Sequence, residues 1–134
     1  MELWKDIPDY NGIYQISSLG RIRNNKTNKI LANYLNSNKE NKTKYYKIDL
    51  MKNGKKKKEY VHRLVAITFL GLKSNSNYQV DHINNNSLDN NVCNLQILSQ
   101  KDNLKKQMKN MAKNFSKYEN NIIKYMFLGE KNDR

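Results

Sequence analysis

Four polar side chains between residues 81 and 103 are of types that could carry out a hydrolytic reaction: Asp81, His82, Asn94 and Asn103. A carboxylate and a carboxamide, completed by waters and a substrate phosphate, suit a hard divalent ion such as magnesium, so Asp81 and Asn103 are candidate metal ligands. A neutral imidazole beside a metal-bound phosphate can take a proton from water near neutral pH, which makes His82 a candidate general base. The side-chain carbonyl of Asn94 could hold a ring N–H and fix the tautomer of that histidine.

The same residues also have a purely structural interpretation. A lone histidine is more often a surface or hydrogen-bonded structural residue than a base. Asparagine makes up 23 of the 134 residues, so an asparagine at any chosen position carries little weight. The spacing of the four residues within one supersecondary unit is what favours the chemical interpretation.

That unit follows from the pattern of polar and apolar residues. The stretch "YQVDHI" predicts a strand, 84–91 a loop, and "VCNLQIL" a second strand, while Ser99 followed by Asp102 is typical of a helix start. If the end of the first strand faces the first turn of the helix, Asp81 and Asn103 approach each other across 22 positions. His82 would then lie on the opposite face of the strand from Asp81.

Residues nearer the N-terminus predict further β-structure. Residues 13–17 alternate in polarity and 20–23 follow a turn, so two short strands are expected there, and 29–35 could form another. Residues 36–44 contain no apolar side chain and are expected to form a loop.

The middle of the chain predicts a hairpin and a helix. Two alternating runs flank Asn53-Gly54, a pair that supplies positive φ at both central positions of a type I′ turn, so a β-hairpin is expected. The spacing of apolar residues then becomes helical over 62–70, and Gly71 is a plausible stop for that helix.

The charge balance points to a polyanionic partner. Lysine and arginine number 25 against 12 acidic residues, giving a net charge of +13. An A/T-rich coding sequence could inflate both lysine and asparagine, but it would not remove the positive field, so a nucleic acid is favoured over a membrane. The candidate contacts are Arg21, Arg23, Lys52, Lys55, Lys56, Lys57, Arg63, Lys105 and Lys109.

Two lysine clusters have alternative interpretations. The lysines at the hairpin tip, Lys52 and Lys55 to Lys58, either are solvated or form a finger against phosphates. From Leu104 to Phe115 apolar residues follow helical spacing with lysines elsewhere on the wheel, which predicts a basic amphipathic helix. Its lysines either face a nucleic acid or are solvated.

Other compositional features exclude several classes of protein. Cys93 is the only cysteine, so an intrachain disulfide is impossible and a structural Cys/His zinc site lacks ligands. The longest apolar run, Leu64 to Leu72, is too short to span a bilayer. We therefore expect a soluble intracellular protein without a membrane partner.

The spacing around His82 resembles the HNH nuclease motif. "VDHI", then "VCNL" with Asn94 twelve residues after His82, and "SQKDN" with Asn103 nine further on, are similar to the ββα-metal unit of HNH endonucleases of the phage and intron homing type. Upstream, "HRLVAITFLG" resembles the helix that precedes that unit. "WKDIPDYNGIYQISSLGRIR" resembles the small DNA-binding module that often precedes such a nuclease.

The resemblance implies a role for each matching residue. His82 would activate water, Asp81 and Asn103 would ligate one divalent ion, Mg²⁺ or Mn²⁺, at the scissile phosphate, and Asn94 would brace the loop and orient His82. The substrate would be double-stranded DNA, cut to a 5′-phosphate and a 3′-hydroxyl. A monomer or weak dimer is expected. Because one such unit makes one cut per visit, a monomer should nick DNA, and a double-strand break would need a dimer or a second binding event.

Two residues of the upstream segment are also candidates. Arg63 would clamp a phosphate, and His62 is interpreted as a packing or hydrogen-bonding residue.

The resemblance also implies an α+β fold in three parts. These are an N-terminal antiparallel β module (1–58) that binds DNA, an HNH ββα-metal nuclease domain (59–104), and a C-terminal basic amphipathic helix and tail (105–134). Many relatives carry further C-terminal DNA-binding modules, so site recognition here is expected to depend on the N-terminal module and the basic helix. The alternatives are a DNA-binding protein without catalysis and, less favoured because no aromatic platform matches, an RNA-binding protein.

Overall fold

A computed structural model describes residues 1–36 and 43–113, with backbone alone at residues 100, 103, 107 and 110–113. Most of the predicted loop at 36–44 and the end of the predicted basic helix lie outside the described residues. The chain divides into two compact units, Met1–Ile97 and Leu98–Arg134. No helix within the described residues is both long and apolar enough to cross a lipid bilayer.

The first unit begins with a three-stranded antiparallel sheet. Its strands are β1 (Trp4–Asp6), β2 (Tyr14–Ser17) and β3 (Ile22–Asn24), in the order β1-β2-β3. The two strands predicted at 13–17 and 20–23 correspond to β2 and β3. A turn at Asn11 and Gly12, both with positive φ, leads into β2, which alternates buried Tyr14 and Ile16 with Gln15.

A second antiparallel sheet contains the predicted hairpin. It consists of β4 (Tyr34–Leu35), β5 (Tyr46–Lys52) and β6 (Lys55–Tyr60). Asn53 and Gly54 have φ of 52° and 75°, as a type I′ turn requires, so the hairpin prediction is confirmed. The strand predicted over 29–35 is wrong for most of its length, because only Tyr34–Leu35 pairs as a strand and Ile30 makes an isolated bridge to Arg23.

The predicted helix is α1 (Val61–Phe69), which follows β6 without a loop. It buries Val61, Leu64 and Val65, the apolar face that its spacing predicts. Gly71, with φ of 75°, ends the helix as expected.

The predicted strand, loop, strand and helix follow α1, with one correction. The strands are β7 (Gln79–His82) and β8 (Leu95–Leu98), which form a two-stranded sheet. The second strand was predicted from residue 92, but Val92–Asn94 form a 3-10 turn, closed by a hydrogen bond from the Leu95 N–H to the Val92 carbonyl.

The second unit contains α2 (Gln100–Lys113). Ser99 caps its start: the Ser99 Oγ accepts from the Asp102 N–H at 3.2 Å and donates to the Asp102 carboxylate at 2.9 Å. The helix start predicted from this pair is therefore confirmed.

Within the first unit, one hydrophobic core is shared by the two three-stranded sheets, α1 and β8. Its members from the first 58 residues are Ile7, Tyr10, Tyr14, Ile16, Ile22, Ile48 and Leu50, and its other members are Val61, Leu64, Val65 and Leu95. Small antiparallel sheets, with two α-helices among the described residues, confirm the predicted α+β class. The predicted three-part division of the chain stays a prediction.

Candidate active site

His82 is the last residue of β7 and is buried. Its Nε2 lies 2.8 Å from the Oδ1 of Asn90, which is itself 5% exposed. An amide oxygen can only accept a hydrogen bond, so this contact requires the hydrogen on Nε2. In the neutral ring the lone pair is then on Nδ1, which is the nitrogen that could accept a proton.

The carboxamide of Asn94 is directed at the loop between β7 and β8. It accepts from the Asn84 N–H at 3.0 Å and donates to the Asn84 side chain at 3.0 Å and the Asp89 carbonyl at 2.9 Å. The predicted contact between Asn94 and the imidazole is therefore corrected: the carboxamide at Nε2 belongs to Asn90. The physical reason is the 3-10 turn, which takes Asn94 out of the strand.

Asn90 is not among the candidate site residues, because the sequence places it in a loop among other asparagines. Nothing in its residue type distinguishes it from Asn91 or Asn86. Its role depends on the path of the loop, where a positive φ at Asn85 and the 3-10 turn at Val92–Asn94 fold position 90 back onto His82.

Asp81 precedes His82 on β7 and is half-buried. One of its carboxylate oxygens accepts from the Nε2 of Gln96 on β8 at 2.8 Å, which orients the group. A carboxylate is a hard oxygen donor and fits Mg²⁺ or Mn²⁺. Within the described residues, no group of three or more His, Cys, Asp or Glu side chains could hold a metal, so an ion at Asp81 would need waters, substrate oxygens or amide oxygens as further ligands.

Asn103 lies in the first half of α2, in the second unit. The structure describes only the backbone of this residue. The predicted pairing of Asn103 with Asp81 on one metal ion stays a prediction.

The His82 ring lies next to the rings of His62 and Tyr45. The ring centroid of His62 is 5.2 Å from that of His82, and the Tyr45 ring is 5.0 Å from His62 and 6.1 Å from His82. Tyr60 lies 5.5 Å from His62. His62 therefore packs in this cluster, consistent with the packing role considered for it.

His62 is held in the neutral form. Burial, with smaller effects from His82 and Arg63, lowers the pKa of His62 from 6.5 to about 3. Its Nδ1 is buried and has no hydrogen-bond partner among the described residues.

The three candidate arginines are all engaged by other side chains or by backbone. Arg63 donates to the carbonyls of Tyr78 at 3.0 Å and Ser76 at 3.1 Å, so it fastens the segment before β7 to α1. Arg21 forms an ion pair with Glu2, and this hydrogen bond holds the pKa of the Glu2 carboxyl at about 2.

Arg23 is held in a different way. It donates to the Gln15 side chain, and its guanidinium carbon lies 4.0 Å from the centre of the Trp4 ring. Gln15 is on the middle strand β2 and Trp4 is on β1, so the guanidinium of Arg23 reaches from β3 across the face of the first sheet and is held there.

The candidate lysines lie on the hairpin and α2, and all except the half-buried Lys52 are exposed. Lys55, Lys56 and Lys57 are exposed on β6, with carboxylates 4.0 Å from Lys56 (Asp49) and 3.7 Å from Lys57 (Glu59). The ammonium of Lys52 lies 5.6 Å from the centre of the Tyr10 ring. Lys105 and Lys109 are exposed on α2.

Two family models match the chain in succession. The NUMOD4 motif matches residues 2–59, and the HNH endonuclease family matches residues 59–105. The two matches meet at the end of β6, immediately before α1.

Named relatives and a solved structure agree with these matches. The DNA endonuclease I-HmuI of Bacillus phage SP01 is 39% identical over 118 residues, covering 85% of this chain and 62% of the relative. The H-N-H endonuclease F-TflII of Escherichia phage T5 is 33% identical over 103 residues, covering 76% of this chain and 50% of the relative.

The solved structure concerns DNA binding and cleavage by the HNH homing endonuclease I-HmuI. It matches with a TM-score of 0.70 at 35% identity, covering 91% of this chain and 66% of that one. The chain thus spans less than two thirds of the length of the relatives it matches. Its two matched segments and these relatives together show that it belongs to the HNH endonucleases, with a NUMOD4 motif ahead of the HNH segment.

Proposed function

We propose that this protein is a divalent-metal-dependent DNA endonuclease of the homing or mobile-element type, in which His82 activates the attacking water. The observation that carries the proposal is the contact between Asn90 Oδ1 and His82 Nε2, which leaves the lone pair of the neutral ring on Nδ1, in the residue that follows Asp81 on β7. I-HmuI, a relative at 39% identity, is named a DNA endonuclease.

In this mechanism His82 accepts the proton of the attacking water at the ring nitrogen that carries the lone pair. The hydrogen bond from Nε2 to Asn90 remains in place throughout and offsets the positive charge that the ring gains. The neighbouring His62 stays neutral because its pKa is about 3, so it does not repel the imidazolium that forms.

Asp81 and Asn103 are proposed to hold one Mg²⁺ or Mn²⁺ ion. When bound, the ion would neutralise negative charge on the scissile phosphate and on the leaving 3′ oxygen. Gln96 keeps the Asp81 carboxylate oriented, and Asn94 keeps the loop between β7 and β8 folded. The products would be a 5′-phosphate and a 3′-hydroxyl.

Double-stranded DNA is the proposed partner, bound by the positive field of a chain with net charge +13. The exposed lysines of the hairpin and α2 would contact phosphates, together with Arg23, fixed on Trp4. The proposed division assigns residues 1–58 to DNA binding and 59–104 to cleavage, with 105–134 as a basic helix and tail. A single site predicts that the monomer nicks.

Plasmid cleavage with and without Mg²⁺ or Mn²⁺ tests this function. The wild type should nick supercoiled plasmid when either ion is present, and DNA ligase should reseal the nick, because sealing requires a 5′-phosphate beside a 3′-hydroxyl. His82→Ala should lose roughly 10²-fold or more in rate, the typical contribution of a positioned base, while retaining DNA affinity. Asp81→Ala should lose the response to the metal.

Asn77→Ala provides a control for these variants, because Asn77 is exposed in the segment before β7. It should cleave like the wild type. If the wild type binds DNA but leaves every DNA intact with both ions, the protein is instead a binding protein derived from such a nuclease.

A further inference from the structure

The turn between β2 and β3 lies directly against the loop that carries Asn90. A Cβ built on Gly20 in this turn would lie 2.8 Å from the Asn90 Cβ and 3.2 Å from the Asn90 carbonyl oxygen. Real Cβ atoms do not approach other carbon atoms so closely, so position 20 has room for no side chain. Gly20 belongs to the NUMOD4 segment and Asn90 to the HNH segment.

A backbone hydrogen bond fastens the same two segments together. The Val92 N–H donates to the Ser18 carbonyl at 2.8 Å, two residues after Asn90 and two residues before Gly20. The loop is therefore hydrogen-bonded to the turn two residues away from the close approach.

The turn itself is rigidly built. The buried Ser17 Oγ accepts from the Leu19 N–H at 3.2 Å and from the Arg21 N–H at 3.1 Å. Ser18 donates its N–H to the Leu3 carbonyl at 2.8 Å and accepts from the Leu3 N–H at 3.0 Å. A turn with its polar groups satisfied in this way can act as a fixed support.

We propose that Asn90 is a positioning residue for His82, and that the N-terminal module sets its position through the Gly20 contact. The path runs from Gly20 to Asn90 by direct packing and from Asn90 to the His82 Nε2 by a 2.8 Å hydrogen bond. The N-terminal module thus has a second task besides binding DNA, which is to keep the catalytic imidazole in its tautomer. This inference rests on the proposed role of His82.

Gly20→Ala tests the contact, and Gly71→Ala is its matched control. Both glycines have positive φ, 88° and 75°, so alanine strains the backbone similarly at each, but nothing lies within 4 Å of a Cβ at Gly71. Gly20→Ala should cleave DNA roughly tenfold or more slowly at saturating DNA, as expected for a misplaced base, with DNA affinity in Ca²⁺ little changed. Gly71→Ala should cleave like the wild type.

The tautomer of His82 provides a readout independent of cleavage. The chain has two histidines, so side-chain ¹⁵N spectra of the full-length protein contain two rings, and His82→Ala identifies which signals belong to His82. At about pH 8 the wild type should show the His82 hydrogen on Nε2, the nitrogen that contacts Asn90. Asn90→Ala should show a mixture of tautomers, whereas Asn90→Asp, which keeps an acceptor oxygen, should retain Nε2–H.

These measurements separate the inference from the proposed function. If the wild type cleaves DNA but Gly20→Ala is as active as Gly71→Ala, or if Asn90→Ala leaves the His82 tautomer unchanged, the inference is overturned. If the wild type cleaves no DNA yet the tautomer responds to Asn90→Ala and Gly20→Ala as stated, the positioning holds and the proposed function fails. Should Gly20→Ala not fold, as judged by circular dichroism, the Asn90 variants decide.

Discussion

His62 makes the stability of the molecule depend on pH. Its pKa is about 3 in the folded chain against 6.5 for an ordinary histidine, because burial disfavours the charged ring. Between these values the unfolded chain binds one more proton, so the free energy of unfolding is unaffected above about pH 7 and falls below 6.5, by about 2 kcal/mol at pH 5. His62→Phe should lack this component in urea denaturation at a series of pH values.

Tyr45→Phe is the control, because it changes the same aromatic cluster without removing the histidine. Its stability should fall with acid in parallel with the wild type. Equal pH dependence in the wild type and His62→Phe would contradict the assignment of this effect to His62.

Asn94 should contribute measurably to stability. Asn94→Ala removes three hydrogen bonds from a buried carboxamide, and at about 1 kcal/mol each the expected loss is about 2–3 kcal/mol in urea denaturation. The exposed Asn77→Ala should change stability by less than about 0.5 kcal/mol. A loss at Asn94 no larger than that at Asn77 would show that the loop does not need this brace.

At the residue level, the sequence indicates candidate groups but not every contact between them. His82, Asp81 and Asn94 could be selected as candidates because their spacing matches a known unit. The contact from Asn90 could not, because it depends on how a loop rich in asparagine folds back, and identical side chains at 84, 85, 86 and 91 give no contrast.

At the level of elements, the turn of the β5–β6 hairpin is determined locally, by the positive φ of Asn53 and Gly54. No atom lies within 4 Å of a Cβ at Gly54, so Gly54→Ala should cost only the strain of a positive φ, about 1 kcal/mol in thermal or urea unfolding. Gly54→Asn should cost less, since asparagine adopts this conformation more readily. Equal losses for the two variants would indicate that the tip is not held in the left-handed region.

The elements that sequence reasoning misplaced are those whose ends are set by tertiary contacts. The run "VCNLQIL" alternates like a strand, yet its first three residues turn because the Val92 N–H is bonded to Ser18, 74 positions earlier. The segment 29–35 forms only one bridge, from Ile30 to Arg23 on β3, and a two-residue strand that pairs with β5. Its extended length is therefore set by these two neighbouring strands. Such partners are not visible in a local pattern.

At the level of the whole molecule, the two matched segments share one hydrophobic core. Seven of its eleven buried members precede residue 59, so a fragment of residues 59–134 would expose Val61, Leu64 and Val65 to water. We expect this fragment alone to show no cooperative urea transition by circular dichroism. Mixing it with a fragment of residues 1–58 should restore one.

Cooperative unfolding of the isolated 59–134 fragment would contradict this expectation and support an autonomous nuclease domain. The full-length chain, which retains the complete core, is the reference for the transition.

The close approach of Gly20 to Asn90 has a consequence for engineering new target specificity. A chimaera that takes its first 58 residues from another nuclease would have its junction just before α1, about 40 residues after position 20. Its success should nevertheless depend on the donor's residue at that position. An N-terminal module that has glycine at this position can be exchanged as a unit. A module with any other residue there would need a compensating change in the loop that carries Asn90.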